Sequence, residues 1–314
     1  MKNTSRDELL NKLVLSLKRS HKSWPIRFIK WPVHTLKNTF YHKFYLHINP
    51  KFIFYPKIKT FFGESICISI PPCFDLLASG IFCEESEINL IKYIIKYIPD
   101  SITFFDLGAN LGYYSLLVAK ISNKSSIFAF EPNPDVLPLL RRNKRRNIVI
   151  VPKAVSNYNG TSEFYSTGKI DSGISTLNLK NIKASNLDWK IKKILKVEIL
   201  TLDSFCEKNN IIPNFLKIDV EGAEMSVLEG SKNILTRYNL ILAIEIWIKP
   251  FTTNYKQAIK LLESCGYLMF IITDEGDLKQ ISEKDLPNYF KLICDKHISS
   301  ANPISSNFIF KKQL

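Results

Sequence analysis

Paired cysteines, glycine tracts and long apolar runs are all missing from this 314-residue chain. Its six cysteines, at positions 67, 73, 83, 206, 265 and 294, never fall in C-x-x-C spacing. That pattern indicates neither a zinc ribbon nor a disulfide framework and suits a reducing, cytoplasmic compartment. No stretch reaches the ~18 consecutive apolar residues of a membrane-spanning helix. The leucines near the start are interrupted by Lys12 and Lys18, and no small-residue cleavage site follows, so no secretory signal is expected. No internal repeat or low-complexity tract is visible. Acids are scarce at one end. Residues 1–60 carry 13 Lys/Arg against only Asp7 and Glu8, a balance of +11 within a total of +14.

What is present reads as an ordinary globular enzyme. Hydrophobic residues make up 46% of the chain, and this length can bury one large core plus an accessory segment. The basic end holds four of the five histidines and ten aromatics, among them Trp24, Phe28, Trp31, Phe40, Tyr41 and Phe54. Pro25, Pro32, Pro50 and Pro56 break it up. Leu9, Leu10, Leu13, Val14 and Leu17 fall at helical spacing, an amphipathic start. Two readings fit this segment equally. One is contact with an anionic surface, such as the inner membrane face or a lipid-linked saccharide; the other is a packed extension whose aromatics belong to the core. The division is therefore a basic, aromatic-rich extension over 1–63 and a catalytic domain over 64–314.

From residue 64 the chain alternates short apolar strands with helices. A strand at 66–70 is stopped by Pro71-Pro72, and a helix at 86–97 leads into the first core strand. Further strands are expected at 102–106, 126–131, 147–151, 214–219 and 240–247. Helices are expected near 112–121, 133–146, 222–235 and 253–265. That order implies an α/β fold with a mostly parallel, doubly wound sheet covered on both faces. Late segments at 268–272 and 307–310 supply an antiparallel closing edge. Between 168 and 196 the pattern fails: two glycines, several Ser/Asn and seven Lys read as a long loop at the mouth of a pocket.

The chemistry begins at Asp106-Leu107-Gly108-Ala109-Asn110-Leu111-Gly112. An acid ends a strand, and a glycine-rich turn leads into a helix. A dinucleotide site would place a glycine where Asp106 stands, because a carboxylate repels a pyrophosphate. The same carboxylate attracts an ammonium. Gly108 and Gly112 let backbone approach a ligand. Glu131 ends the next strand and is placed to accept from ribose hydroxyls. A ligand with both an amine and a ribose fits, and S-adenosylmethionine is one. A second stretch, Asp219-Val220-Glu221-Gly222-Ala223-Glu224, follows another apolar strand. Ligands in doubly wound sheets bind beyond the carboxyl ends of the strands, so Asp219 and Glu221 should reach the same crevice. Capping of a helix N-terminus is their mundane alternative role.

Taken together, FFDLGANLGYYSLLVAK, FAFEPNP, VPKAVSNYNGTSEFY, LTLDSFCEKNN, FLKIDVEGAEMSVLEGS and LAIEIW resemble the FkbM family of methyltransferases. The resemblance covers about 64–272 and leaves the basic end unmatched. It implies a class I Rossmann-like methyltransferase that moves a methyl group to a hydroxyl oxygen, with sugars frequent among the family's acceptors. It carries cofactor contacts onto Asp106, Gly108, Asn110, Gly112 and Glu131, and sets Ser156 beside the adenine.

Oxygen methylation needs the hydroxyl in line with the methyl at ~3–3.5 Å, and a base or a metal to ease its proton away. Asp219 is the expected base or metal ligand, with Glu221 and Glu245 orienting the acceptor. Such a carboxylate set suits Mg²⁺ rather than zinc. Two other readings are a nucleic-acid methyltransferase and a non-catalytic surface- or glycan-binding module on this fold. The acid-Pro-Pro-aromatic tetrapeptide expected of base-amine methylation after the fourth strand is replaced here by Asp219-Val220-Glu221-Gly222. Against a decayed site stand Asp106 and Glu131, since nothing structural requires both.

Overall fold

The computed structural model describes residues 5–20, 55–70, 73–82, 84–166, 175–177, 191, 193–249, 255–296 and 304–313. In chain order the elements are α1 (Arg6–Ser20), β1 (Lys57–Lys59), β2 (Ser65–Cys67), α2 (Phe74–Ser79), α3 (Glu85–Tyr97), β3 (Thr103–Leu107) and α4 (Tyr113–Ile121). Then come β4 (Ser126–Phe130), α5 (Leu137–Asn143), β5 (Ile148–Val151), β6 (Ala154–Val155), β7 (Gly160–Ser166), β8 (Ser175–Thr176), β9 (Lys193–Leu200), α6 (Leu202–Asn209) and β10 (Phe215–Ile218). The last are α7 (Glu224–Glu229), α8 (Lys232–Arg237), β11 (Ile241–Lys249), α9 (Tyr255–Ser264), β12 (Tyr267–Ile272), β13 (Leu278–Ile281), α10 (Leu286–Lys296) and β14 (Ile304–Lys312).

The main sheet has eight strands in the order β13-β12-β14-β11-β10-β3-β4-β5. From β11 to β5 neighbouring strands are parallel, and β14, β12 and β13 add the antiparallel edge. This is the expected doubly wound class I arrangement. Successive strand side chains point to opposite faces. In β3, Phe104 therefore joins the core under α3 and α4, while Phe105 and Leu107 join the core under α6 to α9. Both faces are covered, which is why these strands read as nearly continuous apolar runs.

α1 belongs to this fold. Leu9 and Leu13 are 1% and 0% exposed and join the same core as α3. The Arg6 guanidinium donates to the carbonyls of Ile95, Lys96 and Ile98, the unpaired end of α3, and reaches Asp100. The apolar face expected of an amphipathic start is real, and the domain covers it at Leu9 and Leu13, with Leu10 and Leu17 packed alongside and Val14 left exposed. The aromatic stretch at 21–54, the Pro71-Pro72 pair, and 167–174 and 178–190 of the Lys-rich segment lie outside the described residues.

Four expectations need correction. The strand expected at 66–70 ends at Cys67, and the helix expected at 133–146 spans only Leu137–Asn143. There Asn133 accepts from the Asp135 amide at 3.0 Å, a local turn that competes with helix. The helix expected at 222–235 breaks into α7 and α8 at Gly230-Ser231. A Cβ on Gly230 would lie 2.0 Å from the Ser156 carbonyl oxygen, so the break lets two elements touch. The segment expected as loop contains β8 and the start of β9, part of a second sheet ordered β6-β9-β7-β8. In β9, Lys196 and Glu198 alternate with Leu195, Val197 and Ile199, a period-two stretch too short to stand out among the lysines.

Candidate active site

The turn after β3 lies across the end of β4. The amides of Gly108 and Ala109 donate to the Phe130 carbonyl at 3.0 and 2.9 Å. Gly108 has φ +76°, and a Cβ there would sit 1.8 Å from the Asp219 carbonyl oxygen. Only glycine lets the β3 turn and the end of β10 meet this closely. Asn110 is also left-handed, at φ +48°, and its amide donates to Glu131 Oε2 at 2.9 Å. The Asn133 amide donates to Glu131 Oε1 at 2.8 Å. Burial pushes the Glu131 carboxyl up to about 7, against the pull of those two amides.

Asp106 is 1% exposed. Its Oδ2 accepts from the Ser115 amide at 3.0 Å and the Ser115 hydroxyl at 2.6 Å, which anchors the first turn of α4. Its Oδ1, and Asn110 Oδ1, are buried acceptors without a hydrogen-bond partner among the described residues. Burial raises the Asp106 carboxyl.

An open cleft of about 760 Å³, solvent at its mouth included, runs along these strand ends. Gly108, Asn110, Glu131, Asp219 and Glu221 line it. Lys153, Phe164 and Leu177 of the second sheet and its approach close one side. Four expected site residues stand behind that lining: Asp106, Gly112, Ser156 and Glu245. Gly112, at φ +81°, lets α4 start against Leu140 of α5. The Ser156 amide donates to the Leu200 carbonyl at 3.0 Å, which ties it to the second sheet.

Asp219, Glu221 and Glu245 come together, each offering an oxygen within 4.8 Å of the others. Glu221 and Gly222 adopt φ +54° and +89°, a paired left-handed turn that swings Glu221 toward the cleft. Burial drives the Glu221 and Glu245 carboxyls well up, with the nearby Asp219 charge adding to it. Burial pushes the same way on Asp219, but the Lys217 ammonium and a hydrogen bond with Glu245 outweigh it and hold that carboxyl low. Glu224 accepts from the Gly222 amide at 2.8 Å, the capping role that acids at a helix start can take. Burial lifts it to about 7.

The residue that sequence reasoning passed over is Lys217, in the middle of β10. It is 3% exposed, and its Nζ is 2.8 Å from Asp219 Oδ2 and 4.9 Å from the centre of the Tyr114 ring. Beneath it Glu87 accepts from the Tyr114 hydroxyl at 2.6 Å and from Asn307 Nδ2 at 2.8 Å. The one available signal was a lysine inside the apolar run Phe215-Leu216-Lys217-Ile218. Glu87 and Asn307 come from distant elements and gave none.

A family model described as the methyltransferase FkbM domain matches residues 106–269, from the acid ending β3 into β12. The chain belongs to the FkbM methyltransferase family. The matched region contains the cleft's two acidic turns and the whole second sheet. Among curated relatives, the FkbM domain here is similar to hexuronic acid methyltransferase AglP of Haloferax volcanii, with 24% identity over 162 residues. That match takes in 50% of this chain and 62% of the relative, so it spans less than two thirds of AglP. The chain is also similar to 2-O-methyltransferase NoeI of Sinorhizobium fredii, 25% identical over 197 residues, covering 59% of this chain and 80% of that one. A crystal structure of methyltransferase FkbM from Methylobacillus flagellatus aligns at 14% identity with a TM-score of 0.43, over 76% of this chain and 52% of that chain.

Proposed function

We propose that this FkbM protein is an S-adenosylmethionine-dependent O-methyltransferase whose acceptor is a hydroxyl of a saccharide or glycan precursor. The observation that carries the reading is the single cleft shared by Glu131 and Asn110 on one side and Asp219 and Glu221 on the other. The donor set fits the cofactor. Asp106 Oδ1 and Asn110 Oδ1 are buried acceptors left without donors, which an ammonium and hydroxyl groups would satisfy. Glu131 accepts two amides and keeps lone pairs for a ribose diol. The saccharide acceptor is supported by the names of the two relatives, which act on a hexuronic acid and at a 2-O position.

When bound, the cofactor supplies a methyl group already activated by a sulfonium. The chain's own residues position the acceptor oxygen and receive its proton. Asp219 is the ionised member of the acidic trio, the one able to accept a hydrogen bond from the substrate hydroxyl. Asp219, which shares a hydrogen bond with Glu245, would accept the proton that the acceptor hydroxyl gives up. Glu221 and Glu245, whose carboxyls burial and the Asp219 charge push well up, are placed to donate to the acceptor and to Asp219 and so fix its orientation. Mg²⁺ fits this set poorly. Asp219 Oδ2 already holds an ammonium at 2.8 Å, and Glu245 is taken up by Ser305 and Asp219.

The reading extends to location. No described helix is long and apolar enough to cross a membrane. Lys57 and Lys59 are exposed on β1, while Arg141, Arg142, Lys144 and Arg146 are exposed at and just after the end of α5. The two groups are neighbours, because Asn143 bonds both backbone groups of Cys67, which pairs with Lys57. Glu64, the acid nearest in sequence to the hairpin lysines, is buried and paired with Lys120 and Arg145. Such a face suits peripheral contact with an anionic bilayer.

Titration calorimetry with S-adenosylhomocysteine tests the cofactor assignment. Micromolar binding that Glu131→Ala abolishes is expected, and a folded wild-type protein that takes no ligand would overturn it. Transfer of a labelled methyl group onto uronic-acid oligosaccharides then tests the acceptor.

A further inference from the structure

Lys217 has no place in the reaction as described so far, and its position is costly. It is the one buried Lys or Arg among the described residues. An ammonium withdrawn from water costs several kcal/mol unless close partners compensate it, and an apolar side chain of similar volume is often the more stable choice. The strand register explains what compensates it here. Lys217 pairs in register with Asp106 of β3, and side chains two apart on a strand share a face. Lys217, Asp219 and Asp106 therefore point to the same side of the sheet. On that side α3 supplies Glu87 and α4 supplies the Tyr114 ring. One strand over, Glu245 pairs in register with Asn307, which bonds Glu87. The result is a closed polar layer beneath the acceptor end of the cleft, with a single cation at its centre.

We propose that Lys217 is a built-in cation: its ammonium takes the place a divalent ion would occupy against Asp219, and it positions that carboxylate for the acceptor hydroxyl. The inference rests on reading this cleft as the acceptor site. Three observations carry it. The Nζ–Oδ2 separation of 2.8 Å shows that the ammonium occupies one of the two Asp219 oxygens. The Tyr114 ring face covers the ammonium at 4.9 Å, which fixes it from below. Of the three carboxylates that would otherwise read as a metal site, Asp219 holds this ammonium directly and Glu221 feels its charge. Lys217 is thus a positioning residue, acting on the substrate through Asp219. The ion pair sits at the end of β10, one of the strand ends that line the cleft, with Asp219 itself in the lining.

The test needs no acceptor. Wild-type protein, Lys217→Met, Asp219→Asn and the Lys217→Met/Asp219→Asn pair are each titrated with Mn²⁺ by calorimetry, with S-adenosylhomocysteine titrated in parallel. The expected result is no Mn²⁺ binding in the wild type, and at least tenfold tighter binding in Lys217→Met that the added Asp219→Asn removes. Loss of packing alone would not create a cation site. Wild-type Mn²⁺ binding that Asp219→Asn abolishes would overturn the proposal, as would a folded Lys217→Met protein that gains none. Should Lys217→Met fail to fold, the wild type decides against Asp219→Asn: silence supports the built-in cation, and Asp219-dependent binding refutes it. A wild-type protein that ignores S-adenosylhomocysteine would count against the methyltransferase reading instead.

Discussion

At Glu131 one carboxylate meets two opposed demands, and pH separates them. Burial lifts it to about 7, so the folded protein holds its proton over a range in which the unfolded chain, near 4.5, has released it. In that window the native state binds more protons, and stability falls as pH rises from about 4.5 to about 7. Glu224, also at about 7, adds the same sign. Asp219, held low, acts oppositely, but only toward the acid end. Recognition of a ribose diol runs the other way, because the ionised carboxylate accepts from both hydroxyls and the acid keeps one oxygen as donor. The ligand-free protein should therefore melt at higher temperature at pH 5.5 than at pH 7.5, while its affinity for S-adenosylhomocysteine falls below pH 7, by up to about tenfold per unit. Calorimetry and thermal denaturation at matched pH check both, and affinity independent of pH would remove Glu131 from the ribose. Gly108 makes a sharper case. With φ +76° and 1.8 Å from a virtual Cβ to the Asp219 oxygen, Gly108→Ala must separate β3 from β10 at the cleft. Loss of cofactor binding with a lowered denaturation midpoint is expected, and an unchanged midpoint would contradict that close approach.

The elements were legible in proportion to how far each buries a regular stripe. β3, β4, β5, β10 and β11 were visible because both faces are covered, and each began and ended within about two residues of expectation. Where a tertiary contact overrides local pattern, the reading failed. The long helix after Gly222 is cut at Gly230 because the Ser156 backbone passes there, and nothing within 222–235 encodes that neighbour. The acidic trio was legible, since strand ends in this topology converge. The polar layer under it was not, because Glu87, Tyr114 and Asn307 converge only through packing between elements far apart in the chain. α1 sits between these cases: its helical spacing was plain, its destination was not. With Leu9 and Leu13 buried against the domain and Arg6 holding the end of α3, α1 should behave as core. Leu13→Ala should cost about 2–5 kcal/mol in denaturant unfolding. A change under about 0.5 kcal/mol, the range of ordinary surface substitutions, would show α1 to be detachable.

At the scale of the whole molecule, the described parts of the basic end differ: α1 buries Leu9 and Leu13, while β1 exposes Lys57 and Lys59. Because those two leucines lie in the core, the proposed membrane contact would draw, among the described residues, on the charge of Lys57, Lys59 and the cations following Leu140. Deleting residues 1–60 would remove core together with charge, so substitution is the cleaner probe. Each Lys or Arg near an anionic bilayer contributes ~1 kcal/mol, so the variant with Arg141, Arg142, Lys144 and Arg146 all changed to Ala should bind phosphatidylserine-rich vesicles roughly a hundred- to a thousand-fold more weakly. Its affinity for S-adenosylhomocysteine should stay unchanged, because none of the four lines the cleft. Salt gives the second axis. Raising ionic strength from 0.1 to 1 M shortens the screening length from ~10 to ~3 Å and should release the wild-type protein, whereas an inserted apolar helix would resist. Vesicle co-sedimentation of both proteins across that salt range, with a duplex oligonucleotide as competitor, decides among the outcomes. Salt-resistant binding would point to insertion, and displacement by the oligonucleotide at equal charge would assign the basic face to nucleic acid.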